Sequence, residues 1–169
     1  MTAFNLRRLR LRSGEQFRDE VEIELEPLML GGQRYVPVPE KVPAELRITK
    51  ATTGSVFQLA FRTRLHGPCF RCLCDTVLDM SISAREYQAT DPAGDEELVS
   101  PYVTGDKLDL TSWARDAVVL DLPDKILHDP NCAGLCPTCG KDLNEEPHEH
   151  EGEVGDPRWA ALERLREQQ

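Results

Sequence analysis

Apolar and polar positions alternate with a period of two through much of the first half of the chain, a pattern that predicts half-buried strands. Leu6, Leu9 and Leu11 interleave with Arg8, Arg10 and Arg12, which suits a strand with one face on a core. Val21-Glu22-Ile23-Glu24-Leu25-Glu26 alternates strictly and is closed by Pro27. Gly31-Gly32 predicts a turn before a short extended piece, and Pro37, Pro39 and Pro43 are expected to break the segment after that turn. Alternation resumes from Glu45 to Lys50 and again from Val56 to Leu65, with Thr53-Gly54 as a turn between them. That combination predicts a β-hairpin with Phe57, Leu59, Phe61 and Leu65 inward. A further strand is expected over Thr76 to Glu86, where Leu78, Met80, Ile82 and Ala84 alternate with Val77, Asp79, Ser81 and Ser83.

The period then changes. Residues 91–106 are acidic and punctuated by Pro92, Gly94, Pro101 and Gly105, so a loop is expected. From Leu110, the spacing of Leu110, Trp113, Ala117, Val118 and Leu120 predicts one helix of about three turns, ended by Pro123. Beyond Cys139 an acidic stretch with few apolar residues is expected to be disordered. Asp156-Pro157 then reads as an N-cap followed by proline in the first turn, with Trp159, Leu162 and Leu165 continuing an amphipathic helix. The expected fold is α+β, mainly antiparallel β with one mid-chain helix and a C-terminal helical tail. The expected organisation is a domain over 1–144, a flexible acidic linker over 145–155 and a short helical tail over 156–169.

Composition narrows the function. A chain of 169 residues is long enough for one domain with a real core, yet only 6% of it is aromatic. A stabilising crosslink or metal therefore has a place. The net charge of −10 argues against general binding to a phosphate backbone, although it is unevenly spread. Arg47, Arg62, Arg64 and Arg71 fall in a segment with an excess of positive charge and form a candidate RNA-contacting strand face. No apolar run reaches the length of a membrane span, and no apolar region succeeds the N-terminal arginines as in a secretory signal. A soluble, cytoplasmic protein with reduced thiols and no membrane partner is expected.

Six cysteines carry the chemistry. They fall into two groups, Cys69-Phe70-Arg71-Cys72-Leu73-Cys74 and Cys132-Ala133-Gly134-Leu135-Cys136-Pro137-Thr138-Cys139-Gly140. Each holds a C-x-x-C pair, and two such pairs supply the four thiolates of a tetrahedral zinc ion. Cys69, Cys72, Cys136 and Cys139 are accordingly the expected zinc ligands, with Cys132 able to replace Cys69 and Cys74 able to compete. Sixty-three residues separate Cys72 from Cys136, so the metal would clip together two distant parts of the fold. His148 and His150 are expected in a solvated tail, and His66 and His128 are not expected to ligate. Reduced structural cysteines and a thiol-redox C-x-x-C are the alternatives, the latter weakened by the lack of a surrounding βαβ pattern. Four thiolates close the metal's shell, and no Gly-rich phosphate loop, nucleophile elbow or HExxH is present, so no catalytic residues are expected.

With both cysteine motifs in view, the chain resembles the YceD family, the large ribosomal RNA subunit accumulation proteins. The resemblance rests on Cys69-Phe70-Arg71-Cys72-Leu73 after an arginine-bearing strand, and on Cys132 through Asn144, which includes Cys136-Pro137-Thr138-Cys139-Gly140-Lys141-Asp142-Leu143-Asn144. The segment from Leu108 to Pro123 also resembles the family's middle, and Asp156-Pro157-Arg158-Trp159-Ala160-Ala161-Leu162 is similar to the tail of its actinobacterial-type members. It departs at Asp75 and in the additional Cys74. The resemblance implies a non-enzymatic factor supporting 23S rRNA accumulation and ribosome assembly. Its implied partner is the pre-ribosomal large subunit, as rRNA or ribosomal protein, with no small-molecule substrate. A zinc-dependent nucleic-acid-binding regulator, using the four arginines, is the alternative of a different class.

Overall fold

A computed structural model describes residues 2–150 of the chain. The expected tail over 156–169, and residues 151–155 of the expected linker, lie outside the described residues. Within them the protein is mostly antiparallel β-sheet with one α-helix, as the alternation predicts. The strands are β1 (Ala3–Asn5), β2 (Gln16–Glu24), β3 (Leu28–Leu30), β4 (Gln33–Val38), β5 (Lys41–Lys50), β6 (Gly54–Pro68), β7 (Asp75–Ala89), β8 (Val103–Thr104) and β9 (Lys107–Asp109). Helix α1 comes directly after, at Leu110–Leu120.

The main sheet is organised around β6. Strand β7 pairs with it antiparallel along its full length, from Gly54↔Ala89 to Pro68↔Asp75. Strands β4 and β5 also pair with β6, through residues 36–38 and 44–50 respectively. They are consecutive segments of one run, and the register shifts between them: Val38 faces Arg64, whereas Ala44 faces Phe61. The shift falls between Val38 and Ala44, a stretch that includes the cis Val38–Pro39 bond. Strand β2 then pairs with β5, and β3 with β4. A small sheet of β1, β9 and β8 lies beside the N-terminus of the helix.

One face of the main sheet builds the core. Leu46 and Ile48 of β5, Phe57, Leu59, Phe61 and Leu65 of β6, and Met80 and Ile82 of β7 are all buried. They join Leu110, Trp113, Ala114 and Val118 of α1 in one cluster. Alternating residues on the other side of these strands face solvent, the usual arrangement for an antiparallel sheet covered on one face. The helix starts where Asp109 caps it, its carboxylate accepting from the Ser112 backbone N–H at 3.1 Å and the Ser112 hydroxyl at 2.7 Å.

Three local expectations are corrected. Leu6, Leu9 and Leu11 do not lie on a strand: β1 ends at Asn5, whose side chain accepts from the Arg7 N–H and caps a 3-10 turn over Leu6–Arg8. The three leucines still pack against the core, but from a turn and an irregular segment. Pro37 and Pro43 do not break extended structure, since they lie inside β4 and β5. Leu120 falls seven residues after Trp113, about 20° from it around the helix, yet as the last helical residue it is 86% exposed.

Candidate metal centre

The tip of the β6–β7 hairpin is a knuckle. Between the last strand pair, Pro68 and Asp75, residues 69–74 turn so that the Cys69 N–H donates to the Cys74 carbonyl at 2.7 Å and the Leu73 N–H to the Cys69 carbonyl at 3.0 Å. The second C-x-x-C repeats this geometry. The Cys136 N–H donates to the Lys141 carbonyl at 2.8 Å, and the Gly140 N–H to the Cys136 carbonyl at 2.8 Å. A bridge between Leu135 and Asp142 closes its neck. Both turns require a positive φ after the second cysteine. Gly140 supplies it at +74°, and Leu73 adopts +63° despite its Cβ. Near the first neck, the Tyr35 hydroxyl donates to the Pro68 carbonyl at 2.8 Å.

After α1 the chain returns across the first knuckle and is stitched to it. The Phe70 N–H donates to the Ile126 carbonyl at 2.7 Å, and the Leu135 N–H to the Arg71 carbonyl at 3.1 Å. The Arg71 guanidinium donates to the Cys132 carbonyl at 2.6 Å. Gly134, at φ +85°, lies so close to Arg71 that an added Cβ would be 3.2 Å from the Arg71 Cβ. These contacts carry His128 and Cys132 to Cys69 and Cys72.

The result is a ligand-ready cluster of Cys69, Cys72, His128 and Cys132, whose donor atoms all lie within 4.8 Å of one another. Cys69 and Cys132 are 3.9 Å apart at sulfur, and His128 Nδ1 lies 3.4 Å from Cys69 Sγ and 3.3 Å from Cys72 Sγ. A tetrahedral ion with metal–sulfur bonds of ~2.3 Å and metal–nitrogen bonds of ~2.05 Å needs ligand edges of about 3.8 and 3.5 Å. The donor set and its spacing therefore fit a four-coordinate ion of the structural class. Cys74 is exposed and outside this group, 3.1 Å from Cys72 Sγ. Asn144 supports the cluster from behind: its side-chain oxygen accepts from the Ala133 N–H at 2.7 Å and its amide approaches Cys132 Sγ at 3.5 Å.

Cys136 and Cys139 do not join Cys69 and Cys72. They form a separate group with His148 and His150, again with all donor atoms within 4.8 Å. The sequence-based expectation of four thiolates at one ion thus divides into two mixed Cys/His groups. The physical reason is the stitching by Arg71 and Gly134, which presents Cys132 to the first knuckle while the second knuckle turns away after Leu135. His128 stands four residues before Cys132, a spacing readable in the sequence, but nothing there shows that the chain returns to the β6–β7 tip.

Cys69 and Cys136 are shifted toward the metal-binding form. Burial works against ionisation of Cys69, but the backbone N–H of Cys72 and the His128 side chain outweigh it and bring the thiol down to about 5. At Cys136 the backbone N–H of Cys139 is the largest influence, opposed by burial and joined by the Thr138 N–H, for a value of about 6. Burial pushes Cys72 and Cys132 the other way. Thiolates, not thiols, ligate metals.

The candidate RNA-contacting arginines are only partly together. Arg47, Arg62 and Arg64 lie on the solvent face of β5 and β6, whereas Arg71 sits in the knuckle bound to Cys132. Arg47 pairs with Glu45, which also pairs with Arg18, and Arg64 pairs with Asp79 at 3.2 Å. The hydrogen bond from Arg47 leads the influences that hold the Glu45 carboxyl below its usual range. The face is a mixed one in which carboxylates offset much of the positive charge.

Comparisons with known proteins agree with the cysteine motifs. The family model for the large ribosomal RNA subunit accumulation protein YceD matches residues 57–166, a span that contains both knuckles. The uncharacterized protein Rv2926c of Mycobacterium tuberculosis is 35% identical over 123 residues, covering 70% of this chain and 58% of its own. The chain thus spans little more than half the length of that relative. The uncharacterized protein YlbN of Bacillus subtilis is 28% identical over 172 residues, covering 99% of this chain and 96% of its own. No solved structure matches the chain significantly. No helix among the described residues is long and apolar enough to cross a membrane.

Proposed function

Because the chain belongs to the YceD family, whose name assigns its members a role in large ribosomal subunit RNA accumulation, we propose that it is a non-enzymatic factor supporting 23S rRNA accumulation and large-subunit assembly in the cytoplasm. The observation that carries the reading is the family match itself, which spans the β6–β7 hairpin from Phe57 onward, both knuckles and the helix between them. The ion it carries is zinc, and its role is structural. Supporting this, Cys69, Cys72, His128 and Cys132 offer a closed Cys3His shell, the donor set of structural zinc, with no position left for a reacting water. Bound there, the ion holds the tip of β6–β7 against the segment after α1. The partner is the pre-ribosomal large subunit.

A zinc-dependent nucleic-acid-binding regulator is the second reading, favoured by Arg47, Arg62 and Arg64 on one solvent face of the sheet. The carboxylates of Glu45 and Asp79 on that face weaken general phosphate binding and place this reading second. Deleting the gene in its host and measuring the ratio of 23S to 16S rRNA tests the first. The ratio is expected to fall and to be restored by the intact chain. An unchanged ratio in the deletion strain contradicts it.

A further inference from the structure

Cys136, Cys139, His148 and His150 stand outside the buried cluster that the proposed function uses, yet their donor atoms all lie within 4.8 Å of one another. Three features mark them as more than neighbours. The knuckle hydrogen bonds that shape residues 136–141 repeat those of the buried knuckle, so both cysteines are delivered in the same ligand-presenting turn. The chain beyond it does not run off into solvent: the Leu143 N–H donates to the Gly134 carbonyl at 2.9 Å and the Glu146 N–H to the Asp142 carbonyl at 3.0 Å, which folds 143–150 back over the knuckle. Finally, His148 Nδ1 lies 2.7 Å from the Glu146 carbonyl oxygen and His148 Nε2 lies 3.1 Å from Cys139 Sγ. A carbonyl only accepts, so Nδ1 carries the proton and the Nε2 lone pair is directed at the thiol. That is the backbone-oriented imidazole found behind metal-ligating histidines.

We propose that Cys136, Cys139, His148 and His150 form a second metal site, taking a tetrahedral borderline-soft divalent cation such as Zn2+, and that its ion exchanges with solvent faster than the buried ion. Two thiolates and two neutral imidazoles make a closed Cys2His2 shell around such an ion. The difference in exchange comes from exposure. Three of the four residues in the Cys69 group are buried, whereas Cys139 and His150 are exposed, and His150 lines an open pocket with Cys136, Pro137 and Thr138. The inference deepens the metal-bearing part of the proposed function and rests on that reading only in taking the ion to be zinc.

The test is zinc stoichiometry by native mass spectrometry on the full chain loaded with Zn2+, followed by competition with a chromophoric chelator. Wild type is expected to hold two zinc ions per chain, one for each group, and to release them in two phases. His148→Ala/His150→Ala is expected to lose one ion and the fast phase while keeping its circular dichroism. Cys139→Ser, at an exposed position, is the second variant and is expected to show the same loss. A single ion in wild type, or two ions retained by both variants, overturns the second site and leaves the buried one standing. A metal-free wild type overturns both sites without touching the rRNA measurement.

Discussion

At the scale of single residues, the two knuckles differ at one position that matters. Gly140 and Leu73 occupy the same place after the second cysteine, and both have positive φ, at +74° and +63°. A residue with a Cβ is strained there by about 1 kcal/mol, and Leu73, half exposed, gains little from its side chain. Leu73→Gly is therefore expected to raise thermal stability by up to about 1 kcal/mol, read by calorimetry of the metal-loaded protein. A loss of stability would show that the Leu73 side chain packs against something more than solvent. The thiols make a second residue-scale prediction. With Cys69 near 5 and Cys136 near 6, metal-free protein titrated from acid should develop thiolate absorbance in the far ultraviolet below neutral pH. Cys69→Ser should remove the earliest step. Because the deprotonated forms ligate, metal affinity is expected to fall as pH drops through the same range. Absorbance that appears only near ~8.5, the range of a free thiol, contradicts this tuning.

Elements were legible in the sequence where one period governed a whole segment. The β5–β6 hairpin and β7 can be read from alternation because each strand has one face on the core, so a register slip would expose Phe57, Leu59 and Phe61. The helix was legible from Leu110 because the sheet covers one stripe of it. Leu6, Leu9 and Leu11 misled because apolar residues of a turn also reach the core, at spacings that overlap a strand's. Pro37 and Pro43 misled because a proline removes one backbone donor without ending an extended run. At this scale the stitch between Arg71 and the segment at 132–135 decides which cysteines meet. Gly134→Ala introduces a Cβ at φ +85° and 3.2 Å from the Arg71 Cβ. It is expected to cost about 1–3 kcal/mol in thermal denaturation and to speed metal release from the buried group. A neutral effect on both would mean that the crossing is held by the ligands alone.

On the scale of the whole molecule, the two C-x-x-C motifs led to the expectation that Cys69 and Cys72 meet Cys136 and Cys139, whereas the fold brings His128 and Cys132 to them. Spacing identifies two knuckles, yet pairing them requires knowing that the chain after α1 crosses the β6–β7 tip before making its second turn. His128 and Asn144 enter through that crossing and through nothing local. The buried Cys/His group thus joins the tip of the longest hairpin of the sheet to the chain beyond the helix, and, with an ion bound there as proposed, its removal is expected to loosen that joint while leaving the Trp113-centred core intact. We propose that the fold closed by an ion at Cys69, Cys72, His128 and Cys132 is what supports large-subunit rRNA. The most direct test is the ratio of 23S to 16S rRNA in cells whose only copy of the protein carries Cys69→Ser or Cys132→Ser, beside Cys74→Ser, with protein abundance measured in each. A fall toward the deletion level is expected for the first two and a wild-type ratio for Cys74→Ser, whose thiol lies outside the ligand group. Wild-type ratios in all three strains would contradict it.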